Sequence, residues 1–96
     1  MKSFNWNTDK NLILKETRSI SFEEVVLAIL NHQVKEVYNH PNQEKYQGQK
    51  IYEIEINDYI YLVPFIENEN DYFLKTIIPS RKATKKQKQK QDENKL

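Results

Sequence analysis

The feature that most narrows what this chain can fold into is a pair of apolar runs, KIYEIEI and YIYLVPFI, separated by only Asn57 and Asp58. The first run alternates strictly, with Tyr52, Ile54 and Ile56 on one side and Glu53 and Glu55 on the other, which is the period of a half-buried strand. Asparagine and aspartate tolerate positive φ, so the two residues between the runs predict a tight hairpin turn. The second run is apolar on both faces and reads as a central strand. Pro64 lacks the N–H a ladder needs, so a bulge or a lost neighbour is expected near its far end.

The flanking sequence supplies the other layers. Phe4 and Trp6 alternate with polar residues in a short extended segment, and a first helix is expected from Thr8 or Asp9 to about Arg18, with Leu12, Ile13 and the stem of Glu16 on adjoining turns. Ser21 followed by Glu24 forms a capping box, and Phe22, Val25, Val26, Ile29 and Leu30 make a helical stripe that should end near Asn31 or His32. "VKEVYNHP" reads as a strand stopped by Pro41, and "YFLKTIIP" as the last strand, buried through Ile78 and ended by Pro79. Ser80 then caps a C-terminal helix. The fold class is therefore α+β: a small antiparallel sheet of three to four strands packed with two N-terminal helices and a C-terminal one.

Ninety-six residues make one domain, expected over residues 1–86, with a disordered Lys/Gln-rich tail over 87–96. The formal net charge of +1 conceals a split: residues 80–96 hold seven basic and two acidic groups, or +5, whereas the other 79 residues hold 8 basic and 12 acidic groups, or −4. Such asymmetry points to a polyanion, an acidic partner, or the protein's own acidic face. With no cysteine there is no disulfide framework or thiolate metal site. The polar N-terminus and the lack of a long apolar run predict neither a signal peptide nor a membrane span. A reducing cytoplasm is the expected address.

Few residues offer chemistry. The two histidines, His32 and His40, have no companion at metal-ligand spacing, so no metal or cofactor is expected, and a single glycine excludes a Gly-rich phosphate loop. What remains is basic and aromatic: Lys75 within an apolar strand, Arg81 and Lys82 opening the last helix, and His40, Lys45, Tyr46, Lys50 and Tyr52 from preceding segments. Metal-free RNA cleavage needs a group to take the 2′-hydroxyl proton, positive charge for the transition state, and a donor for the leaving oxygen. Histidine, tyrosine and lysine can move the proton, and arginine suits the phosphate. The bland account is that a lysine guards an edge strand, tyrosines fill half-buried faces, and a Lys-rich helix keeps a small protein soluble.

The stretch "FNWNTDKNLILKETRSISFEE" resembles the opening of the BrnT toxins, F-x-W-D-x-x-K followed by K-H-G-V-S-F-E-E at the same spacing. Phe4, Trp6, Lys10, Ile20, Ser21, Phe22, Glu23 and Glu24 fall on matching positions. "IIPSRKATKK" resembles that family's R-[IL]-I-S-A-R-x-A-[ST] close, with Ile77, Ile78, Arg81, Ala83 and Thr84 in register. The chain departs from the pattern at Asn7, at Thr17, Arg18 and Ser19, at Thr76, and at Val63, Pro64, Phe65 and Ile66, where the family has F-T-x-R.

The resemblance implies a RelE-like fold and a ribonuclease that inhibits translation until a cognate antitoxin neutralises it, in an assembly of toxin and antitoxin dimers. On that reading Arg81 and Lys75 hold the scissile phosphate and His40 or Tyr52 carries the proton. Lys45, Lys50, Lys82, Lys85 and Lys86 guide the RNA. The competing expectations are a non-catalytic interaction module and a sequence-independent RNA-binding protein.

Overall fold

The structure, a computed structural model, describes residues 2–94, with side chains as far as residue 90. Its centre is the hairpin of β3 (Gln49–Ile56) and β4 (Tyr59–Glu67), paired from Gln49↔Ile66 to Ile56↔Tyr59. Asn57 and Asp58 both take positive φ, 53° and 64°, the geometry of a two-residue turn whose twist matches that of the strands it joins.

Around this hairpin the chain adds β2 (Val34–Asn39) against β3, and β5 (Asp71–Leu74) against β4. Outside β5 lies β1 (Ser3–Trp6), which pairs with it in parallel, Ser3↔Asp71 to Trp6↔Leu74. The result is an α+β fold with a mixed six-stranded sheet in the order β1-β5-β4-β3-β2, and β6 (Ile78–Pro79) beside β4. The sheet thus exceeds the expected three or four antiparallel strands. The N-terminal segment joins it in parallel, and the last predicted strand breaks into β5 and β6.

That break has a local cause. Pro64 accepts a hydrogen bond from the Lys75 N–H through its carbonyl, 2.8 Å, so its absent N–H faces the same side. There β4 changes partner, from β6 at Leu62 to β5 at Phe65. Between the two pieces Ile77 is fully buried and its carbonyl turns to the Arg18 guanidinium, 3.0 Å away. Ile78 is exposed rather than buried, and pairing runs through Pro79 instead of stopping before it.

Helices α1 (Thr8–Arg18) and α2 (Phe22–Leu30) cover one face of the sheet. Each starts at a side chain that accepts from an otherwise unpaired N–H, Asn7 from Lys10 and Ser21 from Glu24. Each ends at a residue with positive φ, Ser19 and His32. Phe22 and Val25 pack with Ile54, Val63, Phe65 and Leu74 in the main core. Helix α1 is buried through Asn11 and Leu14, while Leu12 and Ile13 face outward. Asn11 is satisfied there: it accepts from the Phe22 N–H at 2.8 Å and donates to Glu23 at 2.7 Å.

Helix α3 (Arg81–Asn94) crosses the other face. Ser80 caps it by accepting from the Ala83 N–H, and the buried Thr84 hydroxyl accepts from the Ile60 N–H and donates to the Ser80 carbonyl. The helix continues from 87 to 94, where a disordered tail was expected; the remainder of that stretch, 95 and 96, lies outside the described residues.

Candidate functional site

Strand alternation puts Tyr52 and Ile54 toward α1 and α2, and therefore turns Glu53 toward α3. Glu53 is almost fully buried, 3 % exposed, in the middle of the sheet. Its register partner on β2 is Glu36, and like charges facing one another across two strands repel. Helix α3 answers this repulsion. Lys86 lies 3.0 Å from Glu36 and 3.5 Å from Glu53 Oε2, and Lys90, one turn on, lies 3.0 Å from the other Glu36 oxygen. Glu53 Oε1 is buried and has no hydrogen-bond partner.

A cleft of about 290 Å³ opens between α3 and this part of the sheet, lined by Glu36, Tyr38, Glu53, Ser80, Lys82 and Lys86 among others. The titratable groups feel one another. Hydrogen bonds from Lys90 and Lys86 hold the Glu36 carboxyl below the usual carboxylate range. The bond to Glu36 lifts Lys86 above its ordinary value. Burial pushes the Tyr38 phenol up, followed by the charge of Glu53 and the phenol's close approach to that carboxylate. The arrangement can hold or pass a proton at Glu53 and offers cations within the same cleft.

The residues singled out from sequence fall in several places. Tyr52 is on the opposite face, stacked on Phe65 with ring centroids 4.0 Å apart, and burial pushes its phenol up to about 12. His40 directly follows β2, packed on Tyr46, and its Nδ1 accepts from the Asn42 N–H. Its N–H bonds Gln49, whereas α3 begins beside Ile60, the partner of Glu55. Six residues of strand separate the two ends, roughly 20 Å. Lys75 lines a different hollow with Asn7, Asp9 and Lys10, and its ammonium lies 5.4 Å from the Phe73 ring centre. Arg81 is exposed in the first turn of α3. None of the three principal clefts is lined by two of these four residues.

Among the lysines assigned to RNA, Lys82 and Lys86 line the Glu53 cleft and Lys85 is exposed between them. Lys45 sits over the Tyr46 ring and Lys50 pairs with Glu67 at 3.6 Å. Of the three destinations open to the basic segment, the protein's own acidic face takes Lys86 and Lys90. The residues that sequence reasoning passed over are Glu36, Tyr38 and Glu53. Their signal was present: Lys86 and Lys90 stand one helical turn apart, the spacing at which two cations can meet one carboxylate.

Among the described residues no helix is long and apolar enough to cross a membrane. Comparison of the chain with protein-family models, curated proteins and solved structures returns no match.

Proposed function

We propose that this protein is a metal-independent ribonuclease of a toxin–antitoxin pair, with a RelE-like fold and its active cleft between the sheet and α3. The observation that carries the reading is Glu53, a carboxylate buried at a cleft floor with one oxygen unpartnered and lysines beside it. Native proteins seldom leave such an atom unpaired without a use for it. Glu53 accepts the 2′-hydroxyl proton of a bound ribonucleotide, and the freed 2′-oxygen attacks the adjacent phosphorus to form a 2′,3′-cyclic phosphate as the P–O5′ bond breaks, the departing 5′-oxygen taking a proton from solvent at the cleft mouth. Lys86 and Lys82 balance the charge that develops on the phosphate, and the exposed Arg81 and Lys85 on the same helix draw the RNA in. Tyr52, His40 and Lys75 have no part in this cleft.

The resemblance to BrnT sequences supports the same reaction class and a cytoplasmic protein held inactive by its antitoxin. Four exposed apolar residues on the outer faces of α1 and α2, Leu12, Ile13, Leu27 and Leu30, favour a protein partner as well.

The test is purified free protein with RNA in EDTA. Wild type should cut, and Glu53→Gln should cut about 100-fold more slowly. RNA left intact by wild type, or equal cutting by the variant, sinks the proposal.

A further inference from the structure

The cleft under α3 is built for a cation better shaped than the one that fills it. Lys86 meets Glu53 only at Oε2, at 3.5 Å, a long contact for a charge-assisted bond, and leaves Oε1 buried and unpaired. Its shorter bond, 3.0 Å, goes to Glu36. One ammonium is a point donor on a flexible stem and cannot serve both oxygens of Glu53 while also bridging to Glu36. A planar guanidinium presents two parallel N–H groups at the spacing of a carboxylate's oxygens.

We infer that this cleft is a receptor for a guanidinium group, delivered by an arginine side chain of a partner polypeptide that displaces Lys86 and pairs with both oxygens of Glu53. The Tyr38 ring and the apolar side chains of Leu62 and Ala83 wall the same cleft and would enclose the arginine stem. Lys86 is exposed, so it can swing into solvent. Glu36 is then left to Lys90. The inference deepens the proposed function, because a guanidinium on Glu53 occupies the carboxylate that would take the proton. It nevertheless stands on geometry that requires no RNA.

The experiment uses the whole protein and two probes, N-acetyl-arginine amide and N-acetyl-lysine amide, with binding followed by amide chemical-shift changes in β2, β3 and α3. The arginine probe should bind about tenfold more tightly than the lysine probe, because only the fork reaches both oxygens. Lys86→Met, which removes the resident competitor, should strengthen arginine binding several-fold. Glu53→Gln should lower it at least tenfold. Equal binding of the two probes, no binding of either, or arginine binding indifferent to Lys86→Met overturns the inference, and the Lys86 variant decides the matter should the Glu53 variant fold poorly. Neither readout involves cleavage, so a protein that binds the arginine probe but leaves RNA intact refutes the ribonuclease and keeps the receptor.

Discussion

Glu36 and Glu53 face each other as register partners on adjacent strands, and a single lysine from the opposite layer, Lys86, reaches both. Two like charges in that relationship oppose the pairing of β2 with β3. The C-terminal helix therefore acts on the sheet as a bridge, and its charge is part of the fold.

Removing the bridge should show this directly. Lys86→Met is expected to cost about 1 kcal/mol in denaturant unfolding, since Lys86 is partly exposed and water screens the loss. Glu53→Gln made in the Lys86→Met background should recover part of that loss, because a neutral amide opposite Glu36 no longer repels it. If the effects of the two substitutions simply add, the residues are not coupled.

The same bridge sets a pH dependence. The Glu36 carboxyl is held low, by Lys90 first and then Lys86, while Lys86 is raised by its bond to Glu36. A carboxyl that is more acidic in the folded chain contributes fully above its unfolded value and loses that contribution as pH falls through the folded one. A raised lysine contributes fully below its unfolded value and loses its part as pH rises through the folded one. The stability difference between wild type and Glu36→Gln should therefore be level around neutrality and shrink below about pH 4.5 and above about pH 10.5. A difference unchanged at pH 3 would contradict it.

Much of the local architecture was legible because its causes are local. Asn57 and Asp58 announce their turn, Ser21 and Glu24 their helix start, and Pro64 the place where β4 changes neighbours. The parallel pairing of β1 with β5 was not, since nothing in residues 3–6 names a partner at 71–74. Such contacts depend on the whole chain closing. The site was half legible: alternation assigned Glu53 to the side away from Tyr52 and Ile54, but only the path of α3 makes that side an interior. The basic segment likewise left three destinations open. Which cation meets which acid depends on a helix packed by Ala83 and Thr84, and their burial is a tertiary fact.

Asn11 is a polar residue in a core position, and its amide hydrogen-bonds the first helix to the second. Its oxygen accepts from the first N–H of α2 at Phe22 and its nitrogen donates to Glu23. Asn11→Leu should destabilise the fold by about 2–3 kcal/mol despite adding apolar surface, because it strands a buried N–H. Asn11→Asp made together with Glu23→Gln keeps the acceptor for the Phe22 N–H without setting two carboxylates against one another, and should cost less. Thermal unfolding of the two variants gives the order, and Leu outranking Asp would refute the role.

Thr84 should control how firmly α3 lies on the sheet. Its hydroxyl accepts from the buried Ile60 N–H at 2.9 Å and donates to the Ser80 carbonyl at 2.7 Å. Thr84→Val preserves shape and removes both bonds, so the expected cost is about 1–3 kcal/mol. The loss should fall mainly on the helix, because α1 and α2 pack on the other face. Limited proteolysis should cut Thr84→Val within α3 faster than wild type while the β3–β4 hairpin stays resistant, and Thr84→Ser, which keeps the hydroxyl, should restore most of the protection. Equal cutting of Val and Ser variants would mean that the methyl group, not the hydroxyl, anchors the helix.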